Sequence, residues 1–174
     1  MSTIIVGGLL VAAIIIICFV LLAISGRQTK KRKENLLAEF SKVGTANNMT
    51  YTAQEVLKNK IIGIDGISRK IAVVEEKEKT FHHFVIDLRS IKECRLEKNY
   101  FQIPLTSGGR EEKVLESIAL LFLFHDGGRE PQQVVFYDHV QNHVYEIGEL
   151  EVKAGEWKGM VAKFYKKKEL ASIK

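Results

Sequence analysis

The side chains able to do chemistry are few and scattered. His139 and His143 are spaced i,i+4, which on a helix would put two imidazoles on one face to grip a metal; Asp138 and His125-Asp126 are the residues that would complete such a site. No Glu sits between the two histidines as in HExxH, and Asn142-His143-Val144 favours helix poorly, so the pair reads as two unconnected surface histidines. His82-His83 are adjacent in a stretch of strand character, where successive side chains alternate faces: one points inward, one outward, and only one can join any site. Ser107-Gly108-Gly109-Arg110 lacks the Lys-Ser/Thr of a phosphate-binding loop and precedes a strand instead of a helix. No Ser, His and Asp set has the local context of a nucleophile elbow. Cys18 lies in an apolar run and Cys94 in a strand; neither has a CxxC partner, which suits a reducing compartment with Cys94 as a small buried hydrophobe. The expectation is a chain with no catalytic residue, no metal set and no cofactor: not an enzyme.

The elements that would position any site begin with Ile4–Ser25, a run without charge, amide side chain or proline. As a helix it is roughly 33 Å long, against about 30 Å for a bilayer core, and it is apolar all round, so it reads as a transmembrane helix. A cleaved signal peptide ending near Ala23-Ile24-Ser25 is the alternative; the missing basic n-region and the length of the run argue against it. Arg27, Lys30, Lys31, Arg32 and Lys33 follow the run, and positive flanks stay in the cytoplasm. The expected arrangement is a single-pass membrane protein with its N-terminus outside and the rest cytoplasmic. Gly8 and Ala12 form a small-xxx-small pair of the kind that lets two such helices approach. The same five basic residues are the expected membrane-surface site, attracting anionic lipid headgroups.

The net charge of +5 comes from the flanks: Glu34–Tyr165 carries 17 basic against 20 acidic residues. A nucleic-acid partner needs clustered Lys and Arg on the folded domain and is not expected. The division expected is an anchor over 1–26, a basic juxtamembrane segment and linker over 27–50, a domain over 51–168 and a tail over 169–174. Leu36, Leu37 and Phe40 extend helical spacing to about Phe40, and Val43–Thr50 reads as a polar linker.

Thr52-Ala53-Gln54-Glu55 has the form of a capping box and predicts a helix through about Lys60. Strands are then predicted over Ile61–Ile64, Lys70–Glu76, Thr80–Asp87 and Lys92–Lys98, with turns at Asp65-Gly66 and Lys77–Lys79. Tyr100–Glu112, with Pro104 and Gly108-Gly109, reads as a loop. Val114–Phe124 is the strongest strand. Its segment IALLFLF has no wet face, so both sides are covered. Ile118, Leu120, Phe122 and Phe124 would fill the core. Ala119, Leu121 and Leu123 would lie under the Thr52–Lys60 helix, the Tyr100–Glu112 loop or a partner, and are the candidate interaction face. Gln132–Tyr137 returns as a strand. Ile147, Leu150, Ala154, Trp157, Val161 and Phe164 step by three and four along a helix of about Ile147–Lys168, with Trp157, Val161 and Phe164 as core.

A meander of strands closed by a helix with an inward Trp resembles the pleckstrin-homology-like superfamily over about Lys60–Lys168. The hairpin IIGIDGISRKIAVVE, the stretch IDLRSIKEC and Trp157 carry the resemblance. It implies an α+β, mainly antiparallel β fold: a PH-like bent barrel or roll plugged by a C-terminal capping helix, here preceded by the transmembrane helix. Six strands are counted where the superfamily has seven, and Asn142–Ile147 is the candidate seventh. The first hairpin offers Lys60, Arg69 and Lys70 but not the spaced third basic residue of the phosphoinositide-binding members, so inositol-lipid binding is not implied. The function expected is a non-enzymatic binding module for a protein segment or lipid headgroup at the membrane. The alternative is a structural subunit of a membrane-associated complex or a homo-oligomer. Tethering would let weak intrinsic affinity suffice.

Overall fold

The computed structural model describes residues 15–16, 30–104 and 111–171. Helix α1 covers 30–46. Seven strands follow: β1 (Ala53–Val56), β2 (Lys60–Asp65), β3 (Lys70–Lys77), β4 (Thr80–Asp87), β5 (Ile91–Pro104), β6 (Glu111–Phe124) and β7 (Gln132–Asp138); helix α2 (Ile147–Ala171) ends the described chain. The strands form two antiparallel sheets, β1-β2-β3-β4 and β5-β6-β7. The chain passes from one to the other through a 3₁₀ turn at Leu88–Ser90.

Alternation along β2 and β3 makes the first sheet the middle layer. Ile62 faces Val73 across the strands, and Ile64 faces Ile71. These four join Ile86, Ile91, Cys94, Ile118, Leu120, Phe122 and Phe136 in the main core between the sheets. Helix α2 closes that core with Leu150, Ala154, Trp157 and Val161, all buried and stepping by three and four. The opposite face of the same strands carries Ile61, Ala72 and Val74, and α1 lies on it through Leu36, Phe40 and Val43. Each such aliphatic or aromatic side chain contributes about 1.5–3 kcal/mol by leaving water.

Gly63 is what lets α1 come close. Phe40 stacks on Tyr51 with ring centroids 4.1 Å apart and planes at 14°, and the stack presses on the backbone of β2. A Cβ at Gly63 would fall within 2.8 Å of Tyr51 Cδ1 and collide with the Phe40 ring. The Tyr51 hydroxyl donates to the Phe40 carbonyl at 3.2 Å, and burial pushes the Tyr51 phenol up to about 12. Asp65 fastens the connection from α1 to the sheet. Burial alone would raise its carboxyl, but the N–H groups of Ser68 (3.0 Å), Thr50 (2.8 Å) and Ile67 (2.8 Å) donate to it and bring it down to about 2.

Several expectations are corrected here. Ile4–Ser25 lies outside the described residues except for Ile15 and Ile16, which are helical and exposed. Among the described residues no helix is long and apolar enough to cross a membrane. The two long helices, α1 and α2, carry charged faces and are docked on the sheets. That finding overturns the transmembrane signal-anchor and the single-pass arrangement with an outside N-terminus and a cytoplasmic domain. The bent barrel is also corrected: the two sheets are not closed on one another, because the chain leaves β4 through the 3₁₀ turn and β5 pairs with β6 instead.

Thr52–Lys60 is not a helix. Its Ala53–Val56 pairs with Ile61–Ile64 as strand β1, the open ladder edge of β2 overriding the capping-box pattern. Val43–Thr50 is not a free linker, since α1 runs to residue 46 and Val43 and Met49 are buried. Tyr100–Glu112 is not a loop over its length; Tyr100–Pro104 and Glu111-Glu112 extend β5 and β6 into one long hairpin. Asn142–Ile147 contains a 3₁₀ turn at Val144–Glu146 instead of a strand.

Candidate functional site

One end of the molecule gathers four separate pieces of chain: the start of α1, the β1–β2 turn, the β3–β4 turn and the β7–α2 connection. Polar contacts hold each piece in place. The Asn59 carbonyl accepts the Glu76 N–H at 2.8 Å, and the buried Lys60 ammonium meets Glu75 at 2.8 Å. Burial raises the Glu75 carboxyl, but the hydrogen bonds and charges of Lys60 and Lys77 outweigh it and the net shift is downward. In the connection, the Asp138 carbonyl accepts the N–H groups of Gln141 (3.0 Å) and Asn142 (2.8 Å). The Glu146 carboxylate accepts the His143 N–H at 2.8 Å and the Asn142 amide at 3.1 Å. Those bonds, His143 first, hold the Glu146 carboxyl below its ordinary range.

Three ties then cross between the pieces. Arg32 of α1 pairs with Glu76 of β3. The Lys58 ammonium donates to the Gln141 carbonyl. Lys153 of α2 bridges Glu149 at 2.8 Å and Glu55 of β1 at 3.0 Å, which raises the Lys153 ammonium above its usual value, Glu149 contributing most.

The tied pieces enclose a cleft of ≈ 500 Å³, within the range of about 300–1,000 Å³ usual for ligand sites. Its floor is apolar: Leu36 of α1, Val56 and Leu57 at the end of β1, and Leu150 of α2. Arg32, Lys33, Lys58 and Lys153 rim it, with Glu146, Glu149 and Asn142. A second cleft of ≈ 590 Å³ shares Arg32 and Lys58 and runs on to Glu76–Glu78 and Val140-Gln141. The β3–β4 turn beside it is made by Glu78 (φ 51°) and Lys79 (φ 64°), both left-handed without being glycine. Beyond the rim, Val140, Val144 and Tyr145 are 91 %, 67 % and 81 % exposed. What this arrangement can do chemically is grip: it supplies apolar contact, fixed cations and backbone polar groups.

Of the residues singled out from sequence, Arg27 lies outside the described residues. Lys30, Lys31, Arg32 and Lys33 are exposed on the first described turn of α1, and only Arg32 and Lys33 reach the cleft. Ala119 is fully buried, and Leu121 and Leu123 are half-buried on the outer side of β6. Leu121 lies beside Arg95 and Gln133 in register, and Leu123 beside Glu93. The Glu93–Arg95 pair at 2.7 Å, with its aliphatic stems, shields that strip; neither the Thr52–Lys60 segment nor the Tyr100–Glu112 segment is paired there. Trp157 and Val161 are buried, whereas Phe164 is half-buried beside the Gly66 turn.

The histidines stay apart. His139 meets Phe101 edge-on at 5.3 Å, and His143 stacks on Tyr145 at 5.1 Å. Among the described residues no three of His, Cys, Asp and Glu are grouped to hold a metal. His82, across from Glu75, and His83, across from Val74, are both exposed, so the expected inward histidine is corrected. Cys18 and Ser107–Arg110 lie outside the described residues. Burial pushes the Cys94 thiol up to about 12, which leaves it unreactive near neutral pH.

Sequence reasoning passed over Leu57, Lys58, Leu150 and Lys153 as site residues. The only local trace is Val56-Leu57 set against Lys58-Asn59-Lys60, an apolar pair turning at once into charge. Compared with known proteins, the chain matches no family model, no curated protein and no solved structure.

Proposed function

We propose that this α+β protein is a non-enzymatic binding module that takes up a segment of another protein in the cleft between α1, the β1–β2 turn and the start of α2. The observation that carries the reading is the cleft itself: a volume of ≈ 500 Å³ with an apolar floor and a charged rim, its walls tied by ion pairs. A site already fixed in shape loses little freedom on binding, which favours recognition of a flexible segment. We also keep the pleckstrin-homology-like resemblance as part of this reading. It rests on element order alone: strands in a group of four, strands in a group of three, and a helix packed on the second group by an inward Trp.

Panning a random-peptide library against the purified full-length chain tests it. Peptides should be enriched, and their binding should be lost in Leu57→Arg and kept in Leu121→Lys, which alters the outer strip of β6. Leu57 is buried at the edge of the main core, so only a Leu57→Arg chain that keeps the parent circular dichroism spectrum counts in the test. Failure to enrich any peptide, or binding indifferent to Leu57→Arg in a folded variant, overturns the reading.

A further inference from the structure

The rim of the cleft is unevenly satisfied, and the unevenness has a sign. The two acids that line it, Glu146 and Glu149, and the neighbouring Glu55 and Glu76 already have donors. Glu76 takes Arg32, Glu55 and Glu149 share Lys153, and Glu146 takes the His143 N–H and the Asn142 amide. The cations are not used up in the same way. Among the ion pairs of the described residues neither Lys33 nor Lys58 has a carboxylate within bonding distance; the Lys58 ammonium donates to the Gln141 carbonyl, and its charge adds to the His143 and Asn142 hydrogen bonds in lowering the Glu146 carboxyl. Arg32 spends its Nε on Glu76, and among the described residues the outer edge of its guanidinium has no second partner. Four basic and two acidic side chains line the cleft. With Glu55 and Glu76 counted the charges balance, but Arg32 and Lys153 are the paired cations, so the ammonium groups without a carboxylate partner among the described residues, Lys33 and Lys58, are what a newcomer meets beside the apolar floor.

We infer that the segment recognised is acidic: a short stretch with one apolar side chain seated on Leu36, Leu57 and Leu150, and flanking carboxylates on Lys33, Lys58 and the free edge of Arg32. The inference rests on the module reading above and specifies its ligand. A carboxylate brought to Lys58 or Lys33 replaces water around a cation held beside low-dielectric surface, where the attraction is stronger than between freely solvated ions. A lysine-rich segment would meet the ammonium groups of Lys33 and Lys58 and acids that already hold donors, and is rejected. The apolar side chain supplies depth, and the carboxylates supply orientation and rate of encounter.

The experiment uses three fluorescein-labelled dodecapeptide pools. Each has Leu, Ile or Phe at the centre, with flanks of Asp/Glu, of Ser/Gln or of Lys/Arg. Fluorescence polarisation against the full-length chain should rank them acidic, neutral, basic, with the acidic pool tighter than the neutral by about tenfold at low salt. That gap should close as salt rises. Lys33→Gln with Lys58→Gln, two exposed substitutions, should erase the gap between the acidic and neutral pools. Equal binding of the acidic and neutral pools, or a gap that survives the double substitution, overturns the inference and leaves the module reading standing. No binding by any pool overturns both. Binding of anionic phosphatidylserine vesicles without any pool would assign the rim to a lipid surface and likewise overturn it.

Discussion

The two helices pack on different sheets, α1 on the first and α2 on the second, and are held by different means. Helix α2 docks through a stripe of buried side chains, Leu150, Ala154, Trp157 and Val161, spread over three turns and set into a core that both sheets share. Helix α1 docks through Leu36, Phe40 and Val43 on a smaller cluster, and its closest approach is one aromatic stack over one glycine. Polar ties supplement it: Arg32 to Glu76, the Thr50 N–H to Asp65, and the Lys70 ammonium to the Asn47 carbonyl at 3.0 Å. A distributed contact loses a fraction of its strength to any one change. A focal contact can be released whole, and the candidate cleft is walled by one helix of each kind.

The largest effect should come from the distributed side. Trp157 is 3 % exposed and is the largest side chain α2 contributes to the core. Trp157→Ala should lower the stability of the full-length chain by about 3–5 kcal/mol. It should do so in a single cooperative transition, followed by circular dichroism because the only Trp is gone. A change within about 0.5 kcal/mol, as at surface positions, would break the comparison at its firmer end.

Gly63→Ala tests the focal side. The added methyl would collide with the Phe40 ring and crowd Tyr51, an overpacking that typically costs about 1–3 kcal/mol. The expected relief is local: Phe40 lifts and α1 detaches while the sheets remain. Hydrogen exchange should speed up over 30–46, and the buried stripe of α2 should keep its protection. Equal loss of protection in both helices would mean that α1 is as integral to the fold as α2.

The distributed contact was legible in the sequence and the focal one was not, for a physical reason. A stripe at helical spacing and a strand such as Ile118–Phe124 announce themselves, because each residue repeats the same instruction to bury. Phe40, Tyr51 and Gly63 are far apart in sequence and share no period. Val43–Thr50 reads as polar because only Val43 and Met49 face the sheet. Thr52–Val56 carries a helix-start pattern, yet its ladder with Ile61–Ile64 decides the outcome. Among the described residues the distal half of the β5–β6 hairpin has no partner strand beyond its own pair, so it lacks the alternation that marks a half-buried strand. The cleft was least legible. It is assembled from 32–36, 56–58 and 142–153, and no one of these stretches carries a motif.

The smallest predicted effect has the opposite sign and separates global from local stability. Lys77 pairs with Thr80 across a two-residue turn, and the turn residues Glu78 and Lys79 both have positive φ. That is the geometry of a type I′ hairpin turn, for which Asn-Gly is the favoured pair because neither residue pays a Cβ penalty there. Replacing Glu78-Lys79 by Asn-Gly should raise stability by about 1 kcal/mol. The gain belongs to the β3–β4 ladder, which must break when the whole domain unfolds. It does not belong to α1, whose end and following connection are tied to Glu76, Asp65 and Lys70, all outside the turn. Unfolding followed by Trp157 fluorescence should therefore move to higher denaturant, while hydrogen exchange over 30–46 stays as in the parent chain. Slower exchange in α1 by the same factor would show that α1 is released only when the sheet itself opens, and the two helices would then belong to one cooperative unit.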